Sequence, residues 1–267
     1  MIQKIINEIE ESLDIAYQKM YEKDKLSFVL LVGRADIIPG LKHQCHTDCV
    51  IDFQQDRYYD ETRERFYLRY LNRNYKKEGF NYGGDEGIDD LSIEMMIYDH
   101  LWDSFYFLKS LVRMASILSG KGYEWKPSIP ANGKWKYIHN AIIEPFKENN
   151  IALGEIVEKG YSSAIRYSFA HSLFNINVDD RTITLRPKSG IQIITFEEFQ
   201  KKFLYSVILM NKMQNAMEKS HDFLCSLDSF VTESFFTPDG IKVRVKATIV
   251  GNESHSFPEF RMYRIEV

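Results

Sequence analysis

SSAIRYSFAHSLFNI, residues 162–176, reads as the end of an apolar helix, yet it carries a fixed cation, Arg166, and a titratable imidazole, His171, with four residues between them. Downstream the period changes. The stretch NVDDRTITLRPKSGIQIITF, residues 177–196, alternates at Ile183/Leu185 and Ile191/Ile193 and places Asp179-Asp180 in a turn, which predicts a β-hairpin. Thr195 followed three residues later by Glu198 has the form of a capping box and opens a last helix to about Ser220. In the tail, GIKVRVKATIV (240–250) and FRMYRIEV (260–267) predict a pair of strands.

Upstream of the opening stretch, helices are expected at Trp135–Glu148, kinked or divided at Pro145, and at Ile151–Leu173. Before them GYEWKPSIPANGKW (122–135) is a loop with two prolines. A long helix, roughly Leu91–Ser119 and ended by Gly120, keeps Ile93, Ile97, Leu101, Phe105, Leu108, Val112 and Ala115 at helical spacing. The glycine-rich, acidic EGFNYGGDEGIDD (78–90) reads as a linker and the main boundary. In the N-terminal part, residues 2–22 form an amphipathic helix, LSFVLLVG (26–33) a short buried strand closed by Gly33, and residues 57–77 a second helix. The expected class is mainly α with added β, α+β overall. Three regions are expected: 1–85, helical or mixed; 86–222, helical; and 223–267, a β extension. No internal repeat or low-complexity segment occurs.

With 267 residues, 44% hydrophobic and rich in Phe and Tyr, the chain can fill one large core or two modest ones. A formal charge of −4 and a pI near 6.0 argue against coating nucleic acid by bulk electrostatics, though a local basic groove stays open. Three cysteines suggest no disulfide framework, and a reducing cytoplasm is the easier setting. The N-terminal sequence mixes charges into its apolar positions, unlike a signal peptide, and the run Phe28–Val32 is too short to span a bilayer.

Arg166 and His171 fit R-x4-H, a spacing also met wherever a basic pair caps a helix end. In its context, a long helix, a loop, a helix pair and a further helix over roughly residues 90–220, the pattern resembles the HEPN superfamily (higher eukaryotes and prokaryotes nucleotide-binding domains). Many HEPN proteins are metal-independent ribonucleases marked by R-x4-6-H, and the Ala170-His171-Ser172 run adds to the similarity. Tyr167 departs from the small polar residue, often Asn, that follows the Arg in the family. The resemblance implies a catalytic Arg166 and His171, supported by Tyr167, Ser172 and an acid on the first HEPN helix that orients the Arg. Glu94, Asp99 and Asp103 are the acidic candidates; Asp103 is favoured because it sits among Leu101, Trp102 and Phe105, where a charge needs a partner. Ser168 also flanks the motif.

The chemistry suits the residue types. RNA supplies its own nucleophile, the 2′-hydroxyl, so an imidazole that moves a proton near neutral pH and a forked cation for the phosphate oxygens suffice without a metal. Residues five apart on a straight helix lie about 140° apart around its axis. A homodimer with facing motifs, as in the family, would bring both groups to one phosphate. The family's settings, bacterial defence and toxin–antitoxin pairs, imply an antitoxin or regulatory protein as a further partner. The alternatives are a non-catalytic HEPN-type module that binds RNA, a nucleotide or a protein, and a helical scaffold whose Arg–His pair only caps a helix.

Two other patterns stand out. Residues 57–77 hold seven basic residues against three acidic ones, and Arg65, Arg69 and Arg73 fall at i, i+4, i+8 with Tyr67, Tyr70 and Tyr75 between them, a candidate RNA-binding stripe or a solvated face. KHQCHTDC (42–49) gathers His43, Cys45, His46, Asp48 and Cys49, residue types that bind zinc, but in one short loop with no second knuckle and with Cys225 far away. The expectation is therefore no metal and no cofactor. No Walker loop, dinucleotide fingerprint, GxSxG or HExxH is present.

Overall fold

A computed structural model describes residues 1–37, 49–50, 65–67, 69–70, 84–227, 230–236, 243–250 and 259–265. The class is as expected: α+β, mainly helical, with small antiparallel sheets. Helix α1 (Ile2–Lys23) buries Ile5, Ile9, Leu13, Ala16, Tyr17 and Met20 along one stripe, against the long helix α9 (Phe196–Cys225).

The segment expected as a buried strand is instead a helix, α2 (Lys25–Val32). Asp24 starts it by accepting the Ser27 amide at 3.0 Å and the Ser27 hydroxyl at 2.6 Å. Leu26 through Val32 are all buried, so the helix has no polar face to give it a period. A two-residue antiparallel ladder joins β1 (Asp36–Ile37) to β2 (Cys49–Val50).

The expected linker corrects similarly: helix α3 (Gly84–Asp103) already begins inside it. The single helix expected over 91–119 is two, because Ser104 takes an extended backbone and its hydroxyl accepts the Phe107 amide at 3.2 Å, opening α4 (Phe105–Leu118). Phe105, assigned to the apolar face, is 60% exposed as a result. Gly120, at φ +73°, closes the element as expected.

Helix α5 (Lys134–Ile138) runs through a π-helical turn (His139–Ile143) into α6 (Glu144–Glu148), with Pro145, which has no amide to donate, directly after the π-helical turn. The second expected helix of this pair also divides. Helix α7 (Leu153–Gly160) ends before Tyr161, and Ser162, extended and accepting the Ile165 amide, caps α8 (Ser163–Ala170).

The hairpin grows into a three-stranded meander of β3 (Phe174–Asn177), β4 (Thr182–Leu185) and β5 (Gln192–Thr195), with Ile183 opposite both Ile176 and Ile194. Ile183 and Leu185 are buried, whereas Ile191 and Ile193 lie on the outer side, 64% and 65% exposed. The capping box at Thr195 and Glu198 is formed reciprocally and starts α9. The expected tail strands are β7 (Val243–Val250) and β8 (Glu259–Ile265), joined by β6 (Phe230–Phe236) in the order β6-β7-β8.

One apolar cluster runs from Ile5 to Leu224 and so continues across the boundary expected near residues 78–90. At its centre the Tyr98 hydroxyl donates to the Gly160 carbonyl at 2.7 Å and the Trp102 indole to Ser206 Oγ at 3.0 Å. Backbones approach closely at Gly154, where an added Cβ would lie 2.8 Å from the Ile143 carbonyl oxygen. Gly154→Ala is expected to lower stability by about 1 kcal/mol, because the clash exceeds the gain in helix propensity; a urea melt reads the shift. Among the described residues, no helix is long and apolar enough to cross a membrane.

Candidate active site

Helix α8 packs on α3, and this pairing fixes the surroundings of Arg166. Asp99 and Asp103, one turn apart on α3, both face its guanidinium: Arg166 pairs with Asp103 through Nη2 and lies 3.5 Å from Asp99 through Nε. At that separation neither Asp99 Oδ1 nor Arg166 Nε has a hydrogen-bond partner among the described residues. The Tyr161 hydroxyl and the same guanidinium feel each other electrostatically, which favours the charge on Arg166. Lys134, at the start of α5, pairs with Asp103, and Trp135 beside it stacks on Tyr161, ring centroids 5.7 Å apart and nearly parallel.

The side chains of Arg166 and Asp99 are only 14% and 12% exposed, against 41% for Asp103, and the electrostatics follow from that. Burial pushes the Asp99 carboxyl above the usual carboxylate range, with Arg166 pulling the other way. Asp103 also meets a burial penalty, but bonds from Lys134 and the charge of Arg166 outweigh it and hold its carboxyl below the ordinary value. For Arg166, burial opposes the charge, and Asp103, Tyr161 and Asp99 more than restore it.

His171 lies elsewhere in character. It occupies the C-cap of α8, exposed, with its amide bonded to the Tyr167 carbonyl at 3.2 Å. Its ring sits 4.4 Å from that of Tyr167, one turn earlier. Ser172 takes a left-handed backbone, φ +53°, and turns the chain from α8 into β3. Ser168 is fully buried and accepts the Arg186 amide, so it ties the helix to the sheet rather than lining a cleft.

The structure thus joins Arg166 to Asp103, the acid favoured from sequence, and adds Asp99, another of the acidic candidates. Their i, i+4 spacing is the available signal. Tyr161 and Lys134 carry none, since their partners lie far along the chain. His171, exposed, and Tyr167, half-buried, form a separate pair, and Glu94 is buried.

The basic stripe is described only in part. Arg65 and Arg69 are exposed on a helical segment, with Arg69 Nε donating to the Arg65 carbonyl at 3.1 Å. Of the tyrosines expected to offer ring faces, Tyr67 is buried, and Tyr70 is partly buried against the core with its hydroxyl donating to the Asp90 carbonyl at 3.2 Å. Arg73, Tyr75, His43, Cys45, His46 and Asp48 lie outside the described residues, as does the side chain of Cys49. Among the described residues no group of three or more His, Cys, Asp or Glu side chains converges as a metal site would. No protein-family model, no curated protein and no solved structure matches the chain.

Proposed function

We propose that this chain is a metal-independent endoribonuclease of HEPN type that acts as a homodimer in the cytoplasm. The observation that carries the reading is the placement of the R-x4-H pair: Arg166 held by acids of the preceding long helix, and His171 exposed at the helix end. In the reaction, the 2′-oxygen of one nucleotide bonds to its 3′-phosphorus while the bond to the 5′-oxygen of the next nucleotide breaks. His171 of one protomer takes the 2′-hydroxyl proton, and the imidazole of the other supplies a proton to the leaving oxygen. The products are a 2′,3′-cyclic phosphate and a 5′-hydroxyl. Arg166 presents its remaining guanidinium edge to the phosphorane, and Tyr167 and Ser172 border the imidazole. The setting is bacterial defence or a toxin–antitoxin pair, with an antitoxin or regulatory protein as the second partner.

A non-catalytic module that binds RNA, a nucleotide or a protein is the second reading. It is favoured by the engagement of Arg166 with two carboxylates, which leaves its cation largely satisfied within the chain.

Incubation of the purified protein with mixed tRNA and mRNA in excess EDTA, beside the same sequences as 2′-O-methyl RNA, tests the reading. Fragments ending in 2′,3′-cyclic phosphate are expected from RNA alone. Cutting of both polymers, or of neither, would remove the ribonuclease.

A further inference from the structure

We infer that the turn between β4 and β5 is a phosphate-binding subsite for single-stranded RNA, built from Arg186 and Lys188 beside His171. The inference rests on the ribonuclease reading for its substrate, but its evidence is independent of the Arg–His spacing. Ser168 Oγ accepts the Arg186 amide at 3.1 Å, and the Leu173 carbonyl accepts the same amide at 3.0 Å. These two bonds pin the start of the turn to the end of α8. The turn then closes on itself, with the Gly190 amide donating to the Pro187 carbonyl at 3.1 Å. Within this frame Lys188 Nζ stands 5.7 Å from the centre of the Tyr167 ring, whose other neighbour is His171.

Charge gives the site its ligand. Residues 162–196, which the meander folds together, contain Arg166, His171, Arg181, Arg186 and Lys188 against two acids, Asp179 and Asp180, both in the turn between β3 and β4, in a chain whose formal charge is −4. Arg181 is taken up by Glu197 at 2.9 Å, and Arg166 by Asp99 and Asp103. Arg186 and Lys188 are exposed and have no carboxylate partner among the described residues. Two open cations on one turn, one of them against the Tyr167 ring that also packs on His171, match successive phosphodiesters of a flexible strand, with Lys188 as a point charge and Arg186 as a fork. The attraction that brings the polymer to His171 comes from the turn.

The test is fluorescence anisotropy with a labelled 2′-O-methyl RNA oligonucleotide, which binds without being cut, titrated at several salt concentrations. Arg186→Gln/Lys188→Gln is expected to bind roughly tenfold more weakly, with a salt slope shallower by about 1.4, two single-strand phosphate contacts. Lys188→Gln alone should lose about half of that slope. Arg186→Lys/Lys188→Arg, which keeps both charges, should retain binding and so exclude misfolding as the cause. Equal affinity and slope for wild type and the Gln pair, or no binding by wild type, would overturn the subsite. Binding that depends on the pair in a protein that never cuts RNA would uphold the subsite and remove the ribonuclease. Cleavage with binding indifferent to the pair would do the reverse.

Discussion

His171→Ala is expected to slow metal-free RNA cleavage by about 10²–10⁴-fold, the usual contribution of a positioned proton donor or acceptor, while leaving the fold intact. Three features of the site separate these effects. The side chain is exposed, so its removal opens no cavity. The bonds that end α8 come from the backbone amide, which alanine keeps. Packing of the imidazole against the Tyr167 ring, at 4.4 Å, is worth at most about 1 kcal/mol. Rate and urea midpoint, measured on the same preparation, therefore diverge if the imidazole is catalytic. A rate equal to wild type would assign the cleavage to a contaminant or to other residues.

Arg166→Ala should lower the rate too but, unlike His171→Ala, also cost about 3 kcal/mol of stability, the lower end for breaking a buried ion pair because Asp103 is half open to water. The loss lies mostly in what is left behind: Asp99, nearly buried, would face Asp103 without a cation between them. Its pH dependence has a definite sign. The folded-state pKa of Asp99 is above its ordinary value of 3.8, so its ionised form opposes folding at neutral pH, and the penalty is relieved as pH falls through that raised pKa. Asp103 is depressed, so its stabilisation is present above 3.8 and fades as pH falls through its lowered folded pKa. Removing Arg166 leaves only His100 and Lys134 to favour the charge on Asp99. The deficit of the variant should therefore be largest near pH 7 and narrow toward pH 4. Asp99→Asn placed on Arg166→Ala should recover part of it, which chemical denaturation at two pH values would show.

Much of the fold was legible where the cues were local. Thr195 and Glu198 announce the start of α9 because both halves of a capping box lie within one turn. Strands β4, β5, β7 and β8 followed from alternation, whereas β6 was not expected and β3 was hidden because Phe174–Asn177 looked like the tail of a helix. Three errors share one cause, which is that apolar spacing reports burial and not the path of the backbone. Leu26–Val32, buried on every side, looks the same as a strand or a helix; the missed cue was Asp24 ahead of Ser27. Ser104 and Ser162 break helices whose apolar positions stay nearly in phase across the break, and only the extended cap residue reveals it.

The site divided along the same line. Asp103 could be chosen because a charge amid Leu101, Trp102 and Phe105 needs a partner, an argument from neighbours in sequence. Tyr161 and Lys134 reach the cluster only through tertiary packing. The Lys188–Tyr167 contact depends on a turn folding back over the helix, which no spacing within α8 predicts.

The π-helical turn at His139–Ile143 fixes the length of its element as firmly as its sequence. Such a turn holds one residue more than the α-helical ladder needs. Loss of that residue would straighten the ladder and swing Lys134 and Trp135 through about 100° around the axis, carrying the ammonium away from Asp103 and the indole off the phenol of Tyr161. In any lineage that keeps this cluster, single-residue deletions should therefore be scarce between residues 134 and 148.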